Sequence, residues 1–202
     1  MHLRIAPKQV TIDKIRQSYF TVDKEKKFDL LLRLIERENP RQCIIFCERK
    51  IGAHRIYTKL CGERKRVATM HGDLQQSQRE RIMKAFKEGK IVYLVATDVV
   101  GRGIDVTDIS HIINFDLPMD PENYVHRIGR TGRMGKDGVA ISFVTPEEGK
   151  ELTRIEDFIN KLIPEDRFDE FQAYEPRVKN PDEPREVKPI FGRRSKRYSQ
   201  RL

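Results

Sequence analysis

Short apolar runs alternate with amphipathic segments along most of this 202-residue chain. Two of the runs, residues 42–47 (QCIIFC) and 91–96 (IVYLVA), are apolar at nearly every position, which is typical of strands covered on both faces. Strands that alternate with helices are characteristic of parallel sheets, because a parallel crossover needs a connecting helix. The pattern therefore predicts an α/β fold, a doubly wound parallel sheet with helices on both faces.

The remaining elements follow from periodicity and from helix start and stop signals. Further strands are expected at residues 18–22, 67–70, 109–115 and 138–144. Helices are expected after Asp23, at residues 50–61, after Gly72, from Asp120-Pro121, and from a capping box at Thr145 to Pro164. The side chains expected to point inward from these helices are Phe28, Leu31, Leu32, Ile35, Ile51, Ile56, Leu60, Leu74, Ile82, Met83, Phe86, Tyr124, Val125, Ile128, Leu152, Ile155, Phe158, Ile159 and Leu162.

The charge is distributed unevenly along the chain. Of the net charge of +9, residues 177–202 contribute +6 through nine Lys or Arg against three Asp or Glu, and this stretch also contains three prolines. We therefore expect a linker at residues 1–17, a folded domain at 18–163, and a basic, partly disordered extension at 164–202. Such an extension is either solubilising or a nucleic-acid contact.

The three cysteines argue against a disulfide framework and against a metal site. Cys43, Cys47 and Cys61 form no CxxC pair and no Cys/His ligand set. Their odd number and the absence of a signal peptide indicate a reducing, cytoplasmic setting. No stretch has the apolar length of a membrane span, so no membrane partner is expected. Because Cys43 and Cys47 lie on a fully apolar strand, we expect inert core thiols.

The segment HRIGRTGR gathers three arginines near the end of a short helix. Arg127, Arg130 and Arg133 are spaced three residues apart, with Gly129 and Gly132 between them. Guanidinium groups bind phosphate or carboxylate through two parallel hydrogen bonds. The segment therefore indicates an anion site or a surface that meets carboxylates. The alternative is a solvated basic helix end, which would not need two glycines.

Polar residues follow three of the expected strands. Arg49 follows residues 42–47, Gly72 follows residues 67–70, and Thr97 follows residues 91–96. In a parallel sheet these positions share the edge where ligands bind. Glycine lets an anion approach the main chain closely, and Arg79 lies on the next helix. Together these residues suit the non-specific binding of a phosphate backbone.

Five motifs in this order carry a family resemblance: IIFCERK, HGDLQQSQRE, VATDVVGRGIDV, INFDLP and YVHRIGRTGR. They resemble the motifs of the C-terminal RecA-like domain of DEAD-box ATP-dependent RNA helicases, over roughly residues 12–163. The resemblance implies a RecA-like fold and ATP hydrolysis coupled to RNA unwinding. In the family, this domain supplies part of an RNA surface and part of an ATP site.

The resemblance assigns roles to individual positions. Gly72, Gln76, Arg79 and Thr97 match residues that hold the RNA backbone, and Arg49 stands where many relatives use a hydroxyl on RNA. Gly103 and Asp105 lie in the segment that contacts the nucleotide, with Asp105 on the ribose. Arg130 and Arg133 match catalytic arginine fingers that reach the γ-phosphate of ATP. The residues that match interdomain contacts to acidic groups are Arg102, His126 and Arg127.

The chain contains neither a GxxxxGK[ST] loop nor a DEAD sequence. The resemblance therefore implies two partners, RNA and the N-terminal RecA-like domain of the same protein, and that domain would hold the Mg²⁺ that accompanies ATP. We expect no cofactor and no activity for this fragment alone. The alternative is an autonomous RNA-binding or dimerisation module that uses the extension, whose apolar side chains are Phe168, Phe171, Tyr174 and Phe191.

Overall fold

The described residues form a six-stranded sheet in which every pairing is parallel. The computed structural model describes residues 15–98, 109–132 and 137–175. The strand order is β1-β6-β5-β2-β4-β3. The strands are β1 (Ile15–Thr21), β2 (Cys43–Cys47), β3 (Val67–Met70), β4 (Tyr93–Thr97), β5 (His111–Asn114) and β6 (Gly138–Val144).

Helices cover both faces of this sheet. We number them α1 (Lys27–Glu38), α2 (Lys50–Glu63), α3 (Gln76–Lys87), α4 (Pro121–Ile128) and α5 (Gly149–Ile159). Side chains of α1 and α2 pack in one hydrophobic cluster, and those of α3, α4 and α5 pack in the other. The predicted doubly wound arrangement is confirmed. Across the described ranges, no helix combines the length and apolarity that a bilayer crossing requires.

The alternation of side chains along β2 separates the two clusters. Ile44 and Phe46 belong to the cluster of α3, α4 and α5, whereas Cys43, Ile45 and Cys47 belong to that of α1 and α2. All five residues are buried, as the continuous apolar run predicts. Burial raises the pKa of the Cys43 and Cys47 thiols far above the ordinary value, so the prediction of inert core thiols is confirmed.

Three side chains predicted to point inward are exposed instead. Ile51 is 77% exposed, because the inward positions of α2 are taken by Ala53, Ile56 and Leu60. Phe158 is 51% exposed, because the packed stripe of α5 follows other positions.

Leu162 is 80% exposed because α5 ends earlier than predicted. Asn160 adopts the left-handed conformation with φ of 51°, which caps the helix after Ile159 rather than at Pro164. At the other end of the domain, β1 begins at Ile15, three residues before the predicted start. Sequence reasoning placed both boundaries too late because it relied on prolines and on apolar content.

The chain beyond α5 returns across the outer edge of β1. We call residues 164–175 the strap. The N–H of Tyr19 donates to the carbonyl of Pro164 at 3.0 Å, and the N–H of Asp166 donates to the carbonyl of Tyr19 at 2.7 Å. The ring of Phe168 then stacks on Phe20 with centroids 5.6 Å apart. The first part of the expected extension is therefore packed against the domain.

Three of the apolar side chains named for the alternative dimerisation role, Phe168, Phe171 and Tyr174, lie in the strap. Phe168 and Phe171 both pack against the cluster of α1 and α2, and the guanidinium of Arg33 lies 4.8 Å from the Phe171 ring centroid. The rings of Phe168 and Phe171 are therefore packed within their own domain. The expected extension from residue 176 onward, including Phe191, lies outside the described residues.

Candidate functional site

The parallel strands end at a common carboxyl edge, and polar residues gather there. Glu48 and Arg49 follow β2, His71 follows β3, Asp98 follows β4, and Asp116 lies two residues after β5. Register places the last residues of β2 and β4 side by side, because Cys47 is paired with Thr97. The expectation that these strand ends meet is confirmed.

Arg127 on α4 is the centre of this edge. Its guanidinium forks onto Asp98, with Nε 2.6 Å from Oδ1 and Nη2 2.7 Å from Oδ2. Nη1 donates to Oδ1 of Asn114 at 3.0 Å and to the carbonyl of Asp116 at 2.8 Å. The guanidinium carbon also lies 5.0 Å from the ring centroid of Phe46. One arginine thus joins α4 to the ends of β4 and β5.

The observed contacts of Arg127 differ from the expected pairing with an acidic group of another domain. The residue is 3% exposed, and all of its hydrogen bonds given above lie within this domain. Its neighbour His126 is exposed on α4 and remains accessible. The difference arises because Arg127 shares the buried side of α4 with Tyr124 and Ile128.

Lys27 is a buried cation at the same edge that sequence reasoning missed. It is 4% exposed, and its Nζ donates to the carbonyl of Phe115 at 2.9 Å and to Oδ1 of Asp116 at 3.3 Å. The other carboxylate oxygen of Asp116 accepts from the N–H of Glu48 at 3.0 Å. Lys27 and Asp116 therefore fasten α1 and the end of β2 to the end of β5.

The turn after α4 is fixed by close backbone contacts. Gly132 has φ of 67°, a left-handed conformation that favours glycine. The buried hydroxyl of Thr131 donates to the carbonyl of Ile109. A Cβ added at Gly138 would lie 2.5 Å from the N of Gly132, so β6 can approach this turn only through glycine. The turn thereby sets the position of the half-buried Arg130.

The residues expected to hold RNA lie at the same edge with different exposures. Gly72 and Gln76 are exposed, and the Arg49 side chain is 81% exposed. Arg79 is half-buried on the first turn of α3, whereas Thr97 is only 5% exposed.

An ion pair ties two of these loops together. Lys50, which follows Arg49, lies with Nζ 2.8 Å from Oδ2 of Asp73, which follows Gly72. The start of α2 and the loop after β3 are therefore neighbours at the carboxyl edge.

Four of the expected site residues lie outside the described residues: Arg102, Gly103, Asp105 and Arg133. Their assignments to the nucleotide and to the interdomain surface stay predictions. Within the described ranges, no group of three or more His, Cys, Asp or Glu could hold a metal ion. Sequence reasoning missed Asp98 and Asn114 as partners of Arg127, although both stand in the quoted motifs, because a motif does not say which side chains bind each other.

Comparison with known proteins identifies related chains. Residues 26–135 match the family described as helicase conserved C-terminal domain. The DEAD-box ATP-dependent RNA helicase CshA of Bacillus cereus (strain ATCC 10987 / NRS 248) is 45% identical over 155 residues, which are 77% of this chain and 30% of that protein. The chain thus spans less than a third of the length of this curated relative.

Two solved structures are similar in fold as well as in sequence. The C-terminal domain of the DEAD-box protein Dbp5 is 38% identical with a TM-score of 0.72, over 76% of this chain and 91% of that one. Dbp5 of S. cerevisiae bound to RNA and ADP BeF3 is also 38% identical, with a TM-score of 0.71, over 76% of this chain and 42% of that one.

Proposed function

This chain belongs to the helicase conserved C-terminal domain family, as the C-terminal RecA-like domain of a DEAD-box RNA helicase, and we propose that it completes an ATP-dependent RNA helicase. Its partner is the N-terminal RecA-like domain of the same protein. That domain carries the phosphate-binding loop and holds Mg²⁺ with ATP, and the complete enzyme works in the cytoplasm. The similarity to a Dbp5 structure bound to RNA and ADP BeF3 supports both ligands.

The ATP role rests on the arginines that follow α4. Arg130 and Arg133 meet the γ-phosphate across the interdomain cleft and stabilise the charge of the transition state. Gly103 and Asp105 hold the nucleotide, while Arg102 and His126 meet the N-terminal domain. Since the fingers reach ATP only when the two domains close, hydrolysis becomes coupled to closure.

The RNA role rests on the loops at the carboxyl edge. Arg49, Gly72, Gln76, Arg79 and Thr97 bind the sugar-phosphate backbone of one strand, which sets position rather than sequence preference. When closure joins this surface to that of the N-terminal domain, the bound strand bends and the duplex opens locally.

The bidentate ion pair between Arg127 and Asp98 is the observation that supports this proposal most directly. Asp98 directly follows Thr97, and Arg127 lies three residues before Arg130. A single buried pair therefore links an RNA-binding strand end to the helix that presents a finger. A shift of the RNA-bound strand end is transmitted to Arg130 through two hydrogen bonds.

The test joins this chain to its N-terminal RecA-like domain and measures RNA-stimulated ATP turnover. Arg130→Ala should lower turnover by about a thousandfold, the lower range for arginine fingers, with RNA binding retained. Arg130→Lys keeps the charge and loses the fork, so it should resemble the alanine variant. Near-normal turnover of Arg130→Lys would overturn the finger role.

Arg79→Ala should have the opposite phenotype. It should raise the RNA concentration needed for stimulation, with less effect on turnover at saturating RNA, because Arg79 lies on α3 rather than at the end of α4. Arg154→Ala, an exposed position on α5, serves as the control. The isolated chain should not hydrolyse ATP. Turnover by the purified chain that is lost in an Arg130→Ala control would belong to this chain and not to a contaminant, and it would contradict the two-domain proposal.

A further inference from the structure

Lys27 is a buried cation to which the resemblance and the proposed ATP and RNA contacts assign no role. Its side chain is 5% exposed, and its Nζ lies 5.7 Å from the ring centroid of Phe115. The same Nζ donates to the carbonyl of Phe115 at 2.9 Å and to Oδ1 of Asp116 at 3.3 Å. Removing a charge from water is costly even when the charge is paired, and an apolar side chain often packs in such a place at least as well. Packing alone therefore does not account for a lysine here.

The carboxylate of Asp116 lies between Lys27 and the loop after β2. Oδ1 contacts the ammonium group of Lys27, and Oδ2 accepts from the N–H of Glu48 at 3.0 Å. A hydrogen bond to an ionised acceptor is stronger than one between neutral groups. The Asp116 side chain is 30% exposed, so without Lys27 its carboxylate could turn toward water. Lys27 fixes one oxygen and thereby keeps the other on Glu48.

The loop that Asp116 holds is the one that carries Arg49. Arg49 precedes the first turn of α2 in extended backbone, and the start of α2 has no side-chain cap. A second tie on this loop is the ion pair of Lys50 with Asp73, whose side chains are 59% and 58% exposed. Water competes for such an exposed pair, so it contributes little. The hydrogen bond from Glu48 to the less exposed Asp116 is therefore the firmer tie on the Arg49 loop.

The backbone of Asp116 is held independently of Lys27. Its N–H donates to the carbonyl of Phe46 at 3.2 Å, and its carbonyl accepts from Nη1 of Arg127 at 2.8 Å. Loss of the Lys27 ammonium group should therefore release the carboxylate and leave the end of β5 and its contact with α4 in place.

Glu148 is a second carboxylate near Lys27. Its Oε2 lies 4.0 Å from Nζ, which is too long for a hydrogen bond. The same oxygen accepts from the N–H of Thr145 at 2.8 Å as part of a capping box. The segment before α5 therefore has its own cap, and Asp116 is the carboxylate that Lys27 orients.

We propose that Lys27 is a positioning residue for RNA binding. It orients the carboxylate of Asp116 toward the N–H of Glu48, and this hydrogen bond fixes the loop that presents Arg49 to a phosphate of the bound strand. The inference rests on the proposed RNA role of Arg49. Lys27 is 4% exposed and does not itself reach the RNA. Its loss should weaken RNA binding and spare turnover at saturating RNA, because α4 and the finger that follows it keep their contacts.

The test joins this chain to its N-terminal RecA-like domain and compares Lys27→Met, Arg49→Ala and the double variant. Methionine is unbranched and apolar, and Asp116 keeps its access to water, so the fold should survive, which circular dichroism checks. Arg49→Ala should raise the RNA concentration that gives half-maximal ATP turnover by about tenfold, the typical loss of one hydrogen bond to a charged group. Lys27→Met should raise it by about threefold, because the contact is loosened rather than removed.

The double variant decides whether Lys27 acts through Arg49. If it does, Lys27→Met should have no further effect on the half-maximal RNA concentration once Arg49 is alanine. A further increase equal to that of Lys27→Met alone would overturn the proposal. So would a loss of turnover at saturating RNA in Lys27→Met with an unchanged half-maximal RNA concentration.

Asp116→Asn tests the same link from its other end. Asparagine has one side-chain oxygen where aspartate has two, so it cannot serve Lys27 with one oxygen and Glu48 with the other. This variant should also raise the half-maximal RNA concentration, and it carries the test if Lys27→Met does not fold. An unchanged value in Asp116→Asn would overturn the proposal.

Two controls separate positioning from loss of charge and from loss of stability. Lys150→Met removes the same charge from an exposed position on α5, and Leu34→Ala removes a buried side chain of α1. Binding of a labelled single-stranded RNA without ATP is measured by anisotropy over a range of salt concentrations. The log–log salt slope should shrink by up to about 0.7, one phosphate contact, in Lys27→Met and should stay unchanged in both controls. An equal change in either control would overturn the proposal.

Failure of this inference is distinguishable from failure of the proposed function. If Arg49→Ala raises the half-maximal RNA concentration and Lys27→Met does not, only the role of Lys27 is wrong. If Arg49→Ala has no effect, the proposed RNA role of this loop is wrong, and the role of Lys27 with it. The Arg130 test of the ATP site is independent of both results.

Discussion

Two arginines make the same pair of contacts in opposite parts of this domain. Arg127 forks onto Asp98 over the ring of Phe46, and Arg37 forks onto Asp166 with its guanidinium carbon 4.5 Å from the ring centroid of Phe168. The first pair lies at the carboxyl edge, where the Arg127 side chain is 3% exposed. The second joins α1 to the strap, where the Arg37 side chain is 31% exposed.

The difference in burial separates their physical roles. Water can replace either partner of Arg37, so that pair contributes little beyond packing of the strap. If Arg127 is removed, Asp98, Asn114 and the carbonyl of Asp116 lose their donor in a site that water reaches poorly. Identical chemistry therefore holds the functional edge together in one place and fastens a peripheral segment in the other.

The largest difference in stability is expected between the variants that remove the rings of Phe46 and Phe168. Phe46→Ala should lower the free energy of unfolding by about 3–5 kcal/mol, because Phe46 is 1% exposed and its loss leaves a cavity. Phe168→Ala should cost about 1–2 kcal/mol, because that ring is only partly buried. Chemical denaturation of both variants measures the difference. A small effect of Phe46→Ala would contradict its place in the core.

The arginines themselves should differ by a smaller margin. Arg127→Ala should cost about 3 kcal/mol, the low end for a broken buried pair, because the side chain of Asp98 keeps 31% exposure. Arg37→Ala should cost less than about 1 kcal/mol. Denaturation midpoints at matched salt give both values. Equal costs would mean that burial does not separate the two pairs.

The smallest effect expected is the loss of stability at acid pH that comes from Glu38, which pairs with Arg16 and Arg37. Burial by itself raises the pKa of Glu38, but the hydrogen bond and charge of Arg16 and the charge of Arg37 hold it below its ordinary value of 4.5. The folded state thus binds this proton more weakly than the unfolded state does. The stability it contributes is present above pH 4.5 and is lost as the pH falls through the lower folded pKa.

Thermal melting of Glu38→Gln against the unchanged chain measures this contribution. The difference should stay below about 1 kcal/mol and should shrink below pH 4.5, since Glu38 is partly solvated. Burial also lowers the pKa of His111 below its ordinary value of 6.5. A loss of stability that starts between pH 6.5 and pH 4.5 is therefore assigned to His111 and not to Glu38. A difference that is constant with pH would exclude the Glu38 ion pairs as its source.

Much of the fold was accessible from local pattern. The fully apolar strand residues 43–47, the proline-started helix α4 and the order of strands and helices all follow from periodicity and capping. The errors occurred where periodicity leaves several faces possible, as for Ile51 and Phe158, or where a single Asn in the left-handed conformation ended a helix. Which face of a helix is buried depends on the element that packs against it, and a local sequence pattern does not specify that element.

The candidate site was also predictable in part from local pattern. The motifs placed Arg49, Gly72, Arg79 and Thr97 after strands of a parallel sheet, and parallel strands must share an edge. The equal spacing of the three arginines does not distinguish Arg127 from Arg130, and only the family resemblance assigned them different roles. The structure separates them, because Arg127 is buried between α4 and the sheet whereas Arg130 is only half-buried.

What the sequence determined by itself is therefore the alternation of strands and helices, the family motifs, and the charge of residues 177–202, since each depends only on residues near one another in the chain. Only the tertiary structure decided that Lys27 is buried against Asp116, that Arg127 forms a bidentate ion pair with Asp98, and that the strap ends against Asp23, just before α1. These contacts join residues that are tens to more than a hundred positions apart. Their strength depends on how much water the surrounding chain excludes, which no local pattern specifies.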